Sequence, residues 1–221
     1  MRGLLIFGAT SLAKLAHYYA TTDLALPVRG FVVDEQYKNG DEFMSLPLIS
    51  WQRMVDEYAT TDVDLFVAVG YKNMRQRANA YGRAKQAGYK LINIVAKSAY
   101  IANDVTMGEN NIVMPGVVIE PGVTMAENNV VWSNASICHD CNIGSHNFIA
   151  ANTTLGGYVS LGDQNFLGFS TVVIQERRIG NETLIGAQSL VNRDTDDLSR
   201  YCGVPARKIT SIDPRVGITL D

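Results

Sequence analysis

The sequence predicts two parts of different construction: a small α/β domain over residues 1–97, then a coil of short strands joined by tight turns over residues 98–221, ending in a short tail. Three observations carry this. From Ile101 to Val191 every sixth residue is Ile, Leu, Val or Met, sixteen positions without a slip. Seven of the 19 glycines directly follow one of these positions, at Gly108, Gly144, Gly156, Gly162, Gly168, Gly180 and Gly186. Before residue 98 the texture changes to apolar runs alternating with helical segments, the pattern of a parallel α/β sheet.

Within the first part, Leu4–Phe7 is an apolar run that ends in Gly8-Ala9-Thr10-Ser11, and Leu12–Tyr19 reads as a helix. Val28–Val33 is a second strand closed by Asp34, and Ser50 is placed to cap a helix that starts at Trp51. Leu65–Val69 is a third strand ending at Gly70, Asn73–Ala87 a polar helix stopped by Gly88, and Leu91–Val95 a last strand. Ligands of such sheets bind at the carboxyl ends of the strands, here Gly8–Leu12, Asp34 and Gly70.

In the second part, a period of six fits neither a 3.6-residue helix nor a plain alternating strand. Four residues after each aliphatic the side chain is mostly small or β-branched, as at Val117, Ala135, Cys141, Thr153 and Thr171. One large and one small inward side chain per hexad, with glycine at the corners, resembles the hexapeptide-repeat proteins. The resemblance implies a left-handed parallel β-helix of triangular section with three hexads per coil, behind a Rossmann-like N-terminal domain. The hexads would then form about five coils, roughly 25 Å tall at strand spacing. Arg177 falls at a normally small inward position, which predicts an irregular coil over Gln175–Arg178. Tyr201–Lys208 reads as a turn.

Composition excludes several functions. With 19 Lys+Arg against 22 Asp+Glu, 47% apolar and 19% charged residues, the chain is neither a disordered tail protein nor a phosphate-backbone binder. It has no apolar run long enough for a membrane span and no signal-like start, so the expectation is a cytoplasmic protein that does not span a membrane and takes no nucleic acid. Three cysteines, two of them three apart at Cys138 and Cys141, do not make a disulfide framework.

Three histidines occur. His17 lies in the first helix and reads as a surface residue. His139 lies two residues after inward Ile137, so it points away from the coil axis, and one coil of 18 residues places Gly157 on the same face, beside Gly156. An outward imidazole beside bare glycines, with Asp140 next to it, is suited to act as a base near neutral pH. The residues alone leave equally open a surface histidine without a role.

The run His139-Asp140-Cys141-Asn142-Ile143-Gly144, then Leu155-Gly156-Gly157-Tyr158-Val159, then Gly203-Val204-Pro205-Ala206-Arg207, behind a small α/β domain, resembles the sialic acid O-acetyltransferase family of sugar acyltransferases. That family includes acetyl-CoA-dependent N-acetyltransferases of nucleotide-linked 4-amino sugars. The resemblance implies His139 as general base and Asp140 as the acid that orients it. It implies a homotrimer with acetyl-CoA in the groove between subunits, at positions matching Gly157, Phe169 and Ala187. It places a nucleotide-sugar on the α/β domain at Thr10, Ser11, Leu12, Asp34 and Gly70. No metal is expected, since only His139 and His146 lie in the β-helix. Two positions depart from the family. Its first loop commonly has a Gly-His-Gly core where this chain has Gly8-Ala9-Thr10-Ser11-Leu12-Ala13, and Phe148 stands where a donor-contacting His is common. Phe148 on the donor side implies room for a longer acyl chain.

Amine and hydroxyl acceptors are not separated by these motifs. A non-catalytic trimeric scaffold is the competing class, and His139, Asp140 and the glycine pair weigh against it. A covalent route through Cys138 or Cys141 is disfavoured because Cys141 takes a small inward position. Zinc binding by Cys138-His139-Asp140-Cys141 is disfavoured because Cys141 faces in while His139 faces out. The cluster Arg177, Arg178, Arg193, Arg207 and Lys208 is a candidate for CoA phosphates, and Trp132 a candidate for a trimer contact or an acceptor wall.

Overall fold

The computed structural model describes residues 2–70 and 72–220. The chain divides into two compact units, Met1–Gly70 with Gln76–Val95, and Tyr71–Arg75 with Ala96–Asp221.

In the first unit, strands β1 (Gly3–Phe7), β2 (Val28–Val33), β3 (Glu42–Phe43), β4 (Leu46–Ser50), β5 (Val63–Val67) and β6 (Lys90–Leu91) form one sheet in the order β3-β4-β2-β1-β5-β6. All pairs are parallel except the β3–β4 hairpin. Strand β1 is central and buried throughout, which is why Leu4–Phe7 is apolar at every position rather than alternating. Leu5 and Phe7 pack with Val32, Ile49, Val63, Leu65 and Val67 on one face, against Ala80, Tyr81 and Ala84 of α3 (Met74–Gln86). The first helix, α1 (Ser11–Thr22), buries Leu12, Ala13, Ala16 and Ala20, the one-sided stripe of an amphipathic helix. Ser50 caps α2 (Trp51–Glu57), its side chain accepting the Arg53 N–H at 3.3 Å. The chain runs from β1 outward to β2 on one side and later to β5 on the other, so the sheet's switch point lies at the carboxyl ends of β1 and β5.

The second unit is a left-handed parallel β-helix. Two-residue strands recur every six residues and pair in register with the strand 18 residues on: Ile101 with Ile119, Met107 with Met125, and Val113 lies in the sheet with Val131. Three flat sheets result, and the inward aliphatics of each coil stack on those of the next. The small inward positions differ from corner to corner. One corner carries Val117, Ala135, Thr153, Thr171 and Ser189, and its hydroxyls donate to glycine carbonyls, Thr171 to Gly168 at 2.8 Å and Ser189 to Gly186 at 2.7 Å. A second carries Val123, Cys141 and Val159. The third carries Asn111, Asn129, Asn147 and Asn165, all fully buried, and each side-chain oxygen accepts a backbone N–H one coil further on, at 2.7–2.8 Å. A buried amide needs partners, and this ladder supplies one to each side-chain oxygen, while Asn147 Nδ2 and Asn165 Nδ2 are buried without one.

The structure corrects three expectations. The coil does not become irregular at Arg177: Ser160 donates to the Arg177 carbonyl at 2.9 Å and the ladder holds register through Arg178. The long side chain escapes the interior toward the Gln175 carbonyl and Asp194. Residues 201–208 are more than a turn, because strand Ser199–Cys202 continues a sheet and pairs antiparallel with strand Arg207–Ser211. Residues 46–50, read from sequence only for the cap at Ser50, form β4. Among the described residues no helix is long and apolar enough to cross a membrane.

Candidate active site

His139 occupies a corner of the β-helix, and the repeat itself aims it outward. Its backbone carbonyl accepts the Tyr158 N–H at 3.0 Å, which ties it to the coil above, and its own N–H donates to Glu120 Oε2 at 2.8 Å, which ties it to the coil below. The side chain is about half exposed and places Nδ1 2.9 Å from Asp140 Oδ2. A carboxylate accepts only, so the proton of a neutral imidazole sits on Nδ1 and Nε2 presents a lone pair. Asp140 itself has φ +56°, a left-handed conformation that Asp tolerates better than most residues, and this turn brings the two side chains together.

Gly157 lies against the ring, one coil on, as the spacing predicts. A Cβ there would stand 2.7 Å from both Cε1 and Nε2 of His139, so only glycine lets the imidazole lie down against the next coil. Tyr158 meets His139 edge-on, with ring centroids 5.2 Å apart and planes at 90°. Cys141 is fully buried and its thiol donates to the Gly156 carbonyl at 3.1 Å. Burial pushes that thiol up to about 11, and burial likewise raises Cys138. Neither is poised as a thiolate nucleophile. Among the described residues no group of His, Cys, Asp and Glu converges to hold a metal ion.

Phe169 and Ala187 stack one above the other and are exposed, the Phe169 carbonyl accepting the Gln188 N–H at 2.8 Å. They stand on the corner of Thr153 and Thr171, not on the corner of His139. Phe148 is placed differently from expectation. It is 4% exposed and lies face to face with Phe166 at 5.0 Å and tilted against Trp132 at 5.6 Å, so its ring is spent on packing and offers no open wall to a donor. Trp132 is the half-buried edge of that same stack.

In the α/β unit, Thr10 and Gly70 come together at the switch point: a Cβ on Gly70 would lie 3.9 Å from Thr10 Oγ1. Gly8 (φ +142°) allows β1 to turn there, since a Cβ would strike the Ala68 carbonyl at 2.6 Å. Thr10 and Ser11 are exposed, and the Thr10 side chain makes no capping bond to α1, which leaves the first amides of the helix available to an anion. Leu12 differs from expectation. The residue is 2% exposed and belongs to the core, so it offers no open side chain to that site. Asp34 pairs with Arg83 at 2.6 Å, and Arg83 lies over the rings of Trp51 and Phe7 at 4.3 and 4.9 Å. Asp34, Glu35, Gln36 and Arg83 line an open cleft of about 680 Å³. His17 is half-buried against Phe31 rather than on the surface.

Sequence reasoning missed Glu120, Tyr158 and Arg83. The first two were readable from the repeat, since Glu120 lies one coil below Cys138 and Tyr158 one coil above Asp140. Arg83 carried no local signal, because its partners Asp34, Trp51 and Phe7 come from three other elements.

Residues 122–157 match the family described as bacterial transferase hexapeptide (six repeats). Comparison with curated proteins gives no match. Among solved structures, the chain is similar to PerB from Caulobacter crescentus in complex with CoA and GDP-perosamine, with 27% identity, a TM-score of 0.86, and 95% of this chain and 98% of that one covered. It is also similar to the acetyltransferase domain of PglB from Neisseria gonorrhoeae in complex with acetyl coenzyme A, at 22% identity and TM-score 0.85, covering 94% and 99%. WeeI from Acinetobacter baumannii shares the fold at 14% identity and TM-score 0.69, covering 95% and 100%. Residues 122–157 are therefore a run of transferase hexapeptide repeats, set in a chain whose whole fold is shared with these solved structures.

Proposed function

We propose that the chain transfers the acetyl group of acetyl-CoA to the amine of a nucleotide-linked amino sugar, with His139 as general base and Asp140 as its orienting acid. The observation that carries this is the half-exposed imidazole whose Nδ1 is held 2.9 Å from Asp140 Oδ2 while Nε2 lies over Gly157. The amine attacks the thioester carbonyl and Nε2 takes its proton. The tetrahedral intermediate then collapses and CoA leaves as the thiol, taking up a proton. Removal of the amine proton matters in the transition state more than in the ground state, so the base acts on kcat.

The residues present suit the donor. Gly157 gives backbone access beside Nε2, and Phe169 and Ala187 offer an exposed ledge. That ledge stands on a different corner of the prism from His139. A donor touching both therefore runs between the corners of two copies, which supports a trimer with inter-subunit sites. The acceptor's nucleotide takes the α/β unit: Thr10 and Ser11 toward phosphate, with Gly70 beside them, and Asp34 with Arg83 in the cleft. The similarity to PerB, whose structure holds CoA and GDP-perosamine, favours an amine acceptor over the hydroxyl acceptor of the sialic acid O-acetyltransferases. The compartment proposed for this reaction is the cytoplasm.

Thiol release from acetyl-CoA tests the reading. Turnover with GDP-perosamine or dTDP-4-amino-4,6-dideoxyglucose is expected in the wild type and lost in His139→Ala. Wild-type turnover in the His139→Ala variant removes the base assignment, and no turnover of any amino-sugar nucleotide by the wild type favours a scaffold.

A further inference from the structure

Tyr158 stands at a turn position that the β-helix fills in every coil with a residue at positive φ. From Asn110 to Gln188 the others there are Asn, Asp, Gln, Glu, Ser, Gly or His, such as Asn128 (φ +56°), Asn152 (φ +60°) and Gln164 (φ +57°), and beyond the hexads Leu198 (φ +48°) also takes a positive φ. Within the run from Asn110 to Gln188, Tyr158, at φ +60°, is the bulky exception, and a bulky residue in that region is strained. The strain brings no burial in return, since the side chain is 57% exposed. Its ring stands instead at the catalytic corner, one coil above Asp140 and 5.2 Å from the imidazole, with its N–H bonded to the His139 carbonyl. Strain kept without packing gain beside a base is the mark of a residue retained for its ligand.

We propose that Tyr158 is the acceptor-sugar wall of the site: its ring packs against the C–H face of the pyranose and holds the amine at His139 Nε2. This rests on the acetyl-transfer reading above. An amine hydrogen-bonded to Nε2 at about 2.9 Å brings the first sugar carbons to the same range from the imidazole as the Tyr158 ring. A pyranose presents a flat, apolar C–H face there, which an aromatic ring matches with few rotatable bonds to freeze. The acetyl group and the thread of the thioester present no such face, so the tyrosine sorts acceptors and not donors.

The test uses the full-length protein with acetyl-CoA and GDP-perosamine or dTDP-4-amino-4,6-dideoxyglucose, and compares Tyr158→Asn and Tyr158→Phe with the wild type. Asn suits the left-handed backbone, so Tyr158→Asn is expected to melt at or above the wild-type temperature. Its KM for the sugar nucleotide should rise about tenfold, the size of a lost aromatic contact, with KM for acetyl-CoA unchanged. Tyr158→Phe keeps the ring and should restore the acceptor KM. An unchanged acceptor KM in Tyr158→Asn overturns the proposal, as does a rise confined to the acetyl-CoA KM or a fall in melting temperature that accounts for the lost activity. Wild-type protein inactive with both sugar nucleotides overturns the acetyl-transfer reading itself, and the role of Tyr158 with it.

Discussion

Two histidines sit seven residues apart on neighbouring corners of the same β-helix, both on tight turns and both bonded through Nδ1. Their partners make them chemically opposite. His146 Nδ1 is 2.9 Å from Asn128 Nδ2, and Asn128 Oδ1 already accepts from Asn110 Nδ2 at 2.8 Å, so the amide must donate and Nδ1 must accept. The proton of His146 is therefore on Nε2, where it blocks base chemistry. His139 faces a carboxylate, carries its proton on Nδ1 and leaves Nε2 as a base. The backbone frame is common to both corners. What separates the two imidazoles is a single neighbouring side chain.

The largest expected effect breaks the comparison on the side of His139. His139→Ala should lower kcat by about 10²–10⁴-fold, the range of a positioned base, with KM values little changed; steady-state thiol release measures this. Next is Asp140→Asn, which hands His139 the kind of partner that His146 has. Asn accepts the φ +56° turn, so the melting temperature should hold while kcat falls about 10²-fold or more through the wrong tautomer. Retention of wild-type kcat would mean that Asp140 does not set the proton's place.

Gly157→Ala sharpens the comparison at the ring itself. The new Cβ meets the half-exposed imidazole first, at 2.7 Å, so the ring must swing while the fold holds. Activity should drop about 10- to 100-fold, the scale of a small misplacement, at constant circular dichroism and melting temperature. Asn147→Ala acts on the other corner. The buried Asn165 N–H loses its acceptor, now at 2.8 Å, at a cost of about 1–3 kcal/mol. Thermal melting should report a loss of several degrees, with kcat unchanged below the transition. Smallest is Cys141→Ala. With its thiol pushed up to about 11, Cys141 stays protonated at pH 8.5, so turnover should persist and alkylation should reach exposed Cys202 first, as peptide mapping would show.

How much of this was legible depended on whether the signal was local. The inward aliphatics were readable because one coil's core is built from a fixed period, and Ser50 because a cap acts within three residues. The asparagine ladder was hidden for a physical reason. Polarity argues for the surface, yet Asn111, Asn129, Asn147 and Asn165 sit where the small inward residues belong, made tolerable only by bonds to the next coil. Leu12 lies in the core rather than open to solvent, because the first turn of α1 already packs against the sheet there, which a loop motif does not reveal. Phe148 was misread because an outward position in the hexad does not guarantee solvent when aromatic neighbours close over it. Arg83 needed the folded sheet, which alone brings Asp34 and Trp51 to it.

The in-register pairing of each strand with the one 18 residues on means that this chain carries two clocks. The core reads position modulo six and is indifferent to which corner a residue occupies. The site reads position modulo eighteen. Loss of one hexad between His139 and Gly157 would keep every inward aliphatic in step, yet it would bring Asp163, not Gly157, over the imidazole and Gln164 in place of Tyr158. Lengthening or shortening by whole coils elsewhere preserves both clocks. A chain of this design therefore changes its height far more easily than it changes its phase.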